Sequence, residues 1–108
     1  MSQEEIHYKI LKLIEEKPEI SQRELSKNLG VSLGKANYCL NALIDKGLVK
    51  ATNFKNNPAK KAYIYLLTPA GIRAKASTTV NFLKRKQTEY EQLKKEIAQL
   101  EQELATGD

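Results

Sequence analysis

A chain of 108 residues with 41% hydrophobic residues, 29% charged residues and a net charge of +5 has room for one modest hydrophobic core. No apolar run approaches the ~20 residues of a membrane-spanning helix, and the charged start MSQEEIHYKI lacks the apolar stretch of a secretory signal, so a cytoplasmic location is expected. The single cysteine excludes an internal disulfide framework. The charge is uneven: residues 1–68 carry 11 basic and 7 acidic groups, residues 69–88 carry 5 and 0, and residues 89–108 carry 2 and 6. A basic surface followed by an acidic tail favours a polyanionic partner, nucleic acid first.

Residues 4–16 read as a helix, because Ile6, Ile10, Leu13 and Ile14 recur at helical spacing and Pro18 follows where a helix should stop. Ser21 stands three residues before Glu24, the spacing of a reciprocal capping box, and Leu25 and Leu29 supply the inward face of a second helix closed by Gly30. Ser32 caps a third, residues 32–45, whose Ala36, Leu40 and Leu43 face inward with Cys39 before Lys46 and Gly47 end it. The segment LVKATNF from Leu48 loses helical periodicity, KNNPAKK is a turn-rich basic loop, and AYIYLL is again extended. Residues 48–67 therefore read as a hairpin with a basic tip.

Thr68 and Pro69 open a final helix with no breaker after Gly71 until Gly107. Placing Leu83, Tyr90, Ile97 and Leu104 at heptad position a puts Leu93 and Leu100 at d, an apolar seam suited to a partner helix. Lys86 and Thr79 also fall at d, so the coil covers about residues 88–104. The seam fits either a homodimer or a helix folded back on its own domain. Charges leave the orientation of a dimer open: in a parallel pair Glu89 meets Lys94 of the partner helix, which attracts, and Glu96 meets its Glu101, which does not.

The fold class that follows is mainly α with a small β hairpin: a winged helix-turn-helix over residues 1–68, then a long C-terminal helix, residues 69–108, serving as a dimerising coiled coil. In this arrangement the second helix props the third so that its free face can enter the major groove of a duplex. The positions left outward are Leu33, Gly34, Lys35, Asn37, Tyr38 and Asn41. Asparagine can pair bidentately with adenine, lysine can reach guanine or phosphate, and leucine can meet a thymine methyl. Gly34 removes a side chain near the helix start, where amides attract phosphate. The competing reading is a solvated face, and solubility alone could account for the tip residues Lys55, Lys60 and Lys61.

The run VSLGKANYCLNALIDKGLVKATNFKNNPAKKAYIYLLTPAG resembles winged-helix transcriptional regulators of the MarR type, with their capped reader helix, Lys-Gly-Leu-Val, wing and Leu-Thr-Pro-x-Gly. More narrowly, SLGKANYCLNALIDKGLVKATNFKN and the later FLKRK resemble small regulators of that class associated with bacterial exopolysaccharide gene clusters. The resemblance implies a homodimeric regulator of double-stranded DNA. It assigns DNA contact to Ser32, Leu33, Gly34, Lys35, Asn37, Tyr38 and Asn41, and to the wing residues Lys55, Asn56, Asn57, Lys60 and Lys61. Longer proteins of this type flank the winged domain with helices that often enclose a small ligand; this chain has one such helix, and a small-molecule effector is not expected.

No nucleophile, base and orienting group recur at a recognisable spacing, so the chain does not read as an enzyme, and no cofactor is expected. His7 has no Cys or acidic cluster at ligand spacing, so no metal is expected either. Glu15, Glu16 and Glu19 read as a solvated helix end, Cys39 as an inert buried thiol rather than a redox switch, and Lys84, Arg85 and Lys86 as an exposed helix side. The rival function is a protein-interaction adaptor that recruits a partner through its C-terminal coil, since fold does not fix function.

Overall fold

Helix α1, Gln3–Glu16, starts where the Ser2 side chain accepts a hydrogen bond from the Glu5 backbone N–H at 3.1 Å in the computed structural model, which describes residues 2–53 and 63–107. Its Ile6, Ile10 and Ile14 form one buried row, joined by Leu11. Helix α2, Gln22–Leu29, carries the expected capping box. The Glu24 N–H donates to Ser21 Oγ at 3.1 Å and the Ser21 N–H donates to Glu24 Oε1 at 3.4 Å. A 2.7 Å ion pair from Lys17 ties the same carboxylate to the end of α1. That hydrogen bond first, and the one from the Ser21 backbone second, hold the Glu24 carboxyl below its ordinary range.

Gly30, at φ 68°, ends α2 in the left-handed conformation and allows Ser32 to cap helix α3, Leu33–Asp45, only three residues after α2 closes. Leu25 and Leu29 of α2 meet Ala36, Cys39, Leu40 and Leu43 of α3 in one cluster with the buried row of α1. Gly47, at φ 74°, then turns the chain into β1, Val49–Asn53, which pairs antiparallel with β2, Tyr63–Leu67, in a register that sets Val49 opposite Leu67 and Asn53 opposite Tyr63. Val49 and Tyr65 close the cluster from the sheet side. The Tyr65 N–H donates to the Pro18 carbonyl at 2.9 Å, which fastens the hairpin to the α1–α2 connection.

Helix α4, Pro69–Ala105, is a single helix of 37 residues. The segment Leu67-Thr68-Pro69-Ala70-Gly71 docks its first turn. Thr68 Oγ1 donates to the Gly47 carbonyl at 2.5 Å and accepts from the Gly71 N–H at 3.0 Å, while the Thr68 N–H donates to the Leu48 carbonyl at 3.0 Å. Gly71 is buried, and a Cβ there would run into the Leu48 carbonyl oxygen, so close backbone approach requires glycine at this position. The chain divides into two compact units, residues 1–78 and 79–108. The first includes the opening turns of α4, where Lys75 pairs with Glu15 at 2.6 Å. In the second, Leu83, Tyr90, Leu93, Ile97, Leu100 and Leu104 are all exposed.

Candidate nucleic-acid interface

Successive residues of an α-helix turn by about 100°, which settles which positions of α3 face away from the core. Ala36, Cys39, Leu40 and Leu43 are buried, so the opposite row runs through Gly34, Tyr38, Asn41 and Asp45. All four are exposed, and Tyr38 is 70% exposed. Lys35 flanks this row on one side, and Leu33, 40% exposed, stands at the helix start. Ser32 Oγ accepts from the Lys35 N–H at 3.1 Å, so its hydroxyl already caps the helix. The capped first turn gathers free amide N–H groups at its tip, and these favour an anion there.

Asn37 departs from the expected outward set. Its helical position lies beside Leu33 and Ile44 at the margin of the core, the side chain is half-buried, and its Oδ1 is covered without a hydrogen-bond partner among the described residues. An amide covered in this way cannot offer both its oxygen and its nitrogen to an adenine unless the side chain rotates. Asn41 faces outward without that obstacle. Asp45, which the sequence reading did not assign to this face, extends the row at i+11 from Gly34 and places a carboxylate at its far end. Continuing the helical spacing by one more turn would have found it. A carboxylate repels phosphate, so the part of the face fitted to DNA is the N-terminal stretch from Leu33 to Asn41.

Gly34 is the informative position. A Cβ placed there would meet no described residue within 4 Å, and its φ is not positive, so neither packing among the described residues nor backbone conformation calls for the glycine. Glycine inside a helix costs roughly 0.5–1 kcal/mol relative to alanine. Among the described residues nothing packs into the space it leaves, and that space lies on the exposed face. By contrast, Gly71 is dictated by its neighbour within the chain.

Cys39 is 2% exposed and faces the core, as its spacing predicted. Lys55, Asn56, Asn57, Lys60 and Lys61 lie outside the described residues; β1 and β2 flank their segment. His7 is half-buried at a surface cleft of about 320 Å³ that also contacts Glu4, Tyr8, Leu43 and Lys46. Burial first, and the charge of Lys46 second, lower its pKa from the ordinary 6.5. Among the described residues no group of three or more His, Cys, Asp and Glu could hold a metal ion, and no helix is long and apolar enough to cross a membrane.

Residues 3–50 match the family model described as winged helix-turn-helix DNA-binding. The search of curated proteins returned no match. Among solved structures, a mutant of Lactococcus lactis ZitR is similar with a TM-score of 0.67 at 19% identity, covering 84% of this chain and 60% of that one. A MarR transcriptional regulator from Methanosarcina mazei is similar with a TM-score of 0.66 at 17% identity, covering 80% and 60%. These two likenesses concern the fold alone. A mutant of Escherichia coli MarR complexed with operator DNA is 29% identical, with a TM-score of 0.56 over 67% of this chain and 50% of that one. The chain thus spans half to three-fifths of the length of these structures. It carries a winged helix-turn-helix domain of the DNA-binding kind, and its structural neighbours include MarR-type transcription regulators.

Proposed function

We propose that this protein is a sequence-specific, double-stranded DNA-binding transcription regulator that acts in the cytoplasm as a homodimer, without enzymatic activity or a cofactor. Residues 1–68 read the DNA, with α3 in the major groove and the wing residues Lys55, Asn56, Asn57, Lys60 and Lys61 on the backbone. Residues 69–108 join the two copies. The observation that carries this reading is Gly34: a helix-destabilising residue kept at the tip of an exposed helix face, where no described residue packs into the space it leaves. A DNA backbone or base edge approaching the first turn of α3 does need that space. Within this site Tyr38 and Asn41 contact bases, Ser32, Leu33 and Lys35 lie at the groove edge, and Asn37 joins only after rotating its amide. The family matched by residues 3–50 and the likeness to a MarR protein in complex with operator DNA support the same assignment.

The genes controlled are those of exopolysaccharide synthesis, an assignment that rests on the resemblance of SLGKANYCLNALIDKGLVKATNFKN and FLKRK. A two-fold dimer requires a roughly palindromic site with half-sites about one helical turn, ~34 Å, or a multiple of it apart. The test is selection from random duplex DNA at about 150 mM salt, where non-specific electrostatic binding is already weakened. Enrichment of a two-fold symmetric sequence is the expected result. Binding that disappears with salt and enriches nothing would transfer the lead to the adaptor reading.

A further inference from the structure

Over residues 90–104 of α4, the apolar positions form five layers, Tyr90, Leu93, Ile97, Leu100 and Leu104. Each is exposed among the described residues, from 46% at Ile97 to 81% at Leu104. The homodimer proposed above would cover them, and the inference drawn here rests on that reading. We propose that the occupant of this seam is the same segment of a second copy, aligned parallel and in register.

Three comparisons favour the parallel alignment. In parallel register every apolar layer meets its own copy, and Glu89 at g meets the partner's Lys94 at e in two symmetric attractive pairs, against two repulsive pairs between Glu96 and the partner's Glu101. An antiparallel pair instead sets a opposite d, g opposite g and e opposite e. The register that matches Ile97 with the partner's Leu93 and Tyr90 with the partner's Leu100 brings Glu89 against Glu103, Glu96 against Glu96 and Lys94 against Lys94, and it leaves Leu104 facing Lys86. All three charged contacts repel. Sliding by one heptad recovers attraction between Lys94 and the partner's Glu101, but it opposes Glu96 to Glu103 and places Tyr90 across from Gly107, off the seam. Parallel alignment alone keeps five apolar layers with balanced charge.

The identity of the layers agrees. A β-branched residue at a with leucine at d favours two parallel strands, and Ile97 stands at a between Leu93 and Leu100 at d. Lys94 is free to take up the new contact. In the single chain it sits 5.0 Å from the centre of the Tyr90 ring and 3.4 Å from Glu91, both at the surface, where exchanging one exposed ion pair for another costs little. Lys86, at d one heptad earlier and paired with Glu89 at 3.3 Å, would face its own copy and sets the N-terminal limit of the seam.

Two charge reversals separate the alignments, because neither Glu101 nor Glu103 has a charged neighbour at i±3 or i±4 and both lie near the C-terminal end of α4. Glu101→Lys converts the repulsion with Glu96 into attraction only in the parallel pair, whereas among contacts between α4 residues Glu103→Lys relieves a repulsion only in the antiparallel ones. Sedimentation equilibrium of the full chain should show Glu101→Lys tightening the dimer about ten-fold and Glu103→Lys changing it by less than about two-fold. Oxidation of Ile97→Cys should link the two copies through residue 97, with the wild type, whose buried Cys39 is inert, remaining unlinked. A wild-type chain that stays monomeric throughout would remove the homodimer reading itself. A dimer tightened by Glu103→Lys, with no link through residue 97, would keep that reading and overturn the parallel alignment.

Discussion

The two units of this chain spend similar apolar chemistry in different ways. Residues 1–78 bury Ile6, Ile10, Ile14, Leu25, Leu40 and Leu43 nearly completely against one another. Residues 79–108 carry Leu83, Leu93, Ile97, Leu100 and Leu104 at equally regular spacing and bury none of them. The difference teaches where each unit's stability resides. The first satisfies its apolar surface within the chain, so its folding is independent of concentration, whereas in the proposed dimer the second would gain stability through association and follow mass action.

The largest expected effect separates the two units. Leu93→Asp with Ile97→Asp places carboxylates in the seam and should abolish the dimer, leaving a monomer that binds an isolated half-site weakly. The thermal transition of the winged domain should stay unchanged, since neither residue belongs to its buried cluster. A lowered transition for the domain in the monomeric variant would show that the two units are not energetically separate.

Within the first unit, the exposed face of α3 can be separated from the core beneath it. Asn41→Ala should weaken binding to the selected site by ~1–3 kcal/mol and relax preference at one base position, while Lys35→Ala should weaken all sequences alike and reduce the salt slope by about one. Competition binding against a panel of single-base variants measures both. Uniform losses from both substitutions would assign Asn41 to the backbone.

A smaller effect with opposite signs is expected at Gly34. Gly34→Ala should stabilise the free protein by at most about 0.5–1 kcal/mol, the helix-interior value, because alanine is the better helix former and the space is open. It should nevertheless weaken DNA binding, because the added methyl occupies the space left for the duplex. Stabilisation without any loss of affinity would leave the glycine unexplained and remove the main support for the proposed function.

Most of the fold was legible because its signals are local. Ser21 and Glu24 at capping-box spacing, Gly30 and Gly47 at helix ends, and the paired strand-like runs each specify a backbone state within a few residues. The motif Leu67-Thr68-Pro69-Ala70-Gly71 was legible as a helix start, but the reason for its glycine was not, since the Leu48 carbonyl comes from another element. Asn37 was misjudged for a related reason. Its position near the boundary between faces makes burial depend on how Leu33 and Ile44 pack around it, which periodicity does not encode. The seam of α4 was fully legible as a pattern, because a heptad repeat is a property of sequence spacing. What covers it is not a property of spacing: the two alignments weighed for the proposed dimer use the same residues at a and d and differ only in their e and g contacts.

The smallest expected effect tests whether the first unit is tuned by pH. His7 lies half-buried, its Nε2 has no hydrogen-bond partner among the described residues, and burial followed by Lys46 lowers its pKa from 6.5. With the folded pKa below the unfolded one, the unfolded chain takes up the proton first as pH falls. Stability is therefore fully present above about pH 6.5 and declines as pH drops through the folded value. Glu24, whose pKa is lowered from 4.5, contributes only in a more acidic window. Between about pH 7.5 and about pH 5.5 the loss should therefore report on His7, and His7→Gln, which cannot titrate, should reduce it. Urea denaturation midpoints of both proteins at the two pH values provide the measurement. An equal loss in the variant would mean that protonation of His7 costs the folded state nothing, and that the cleft beside Lys46 admits enough water to solvate an imidazolium.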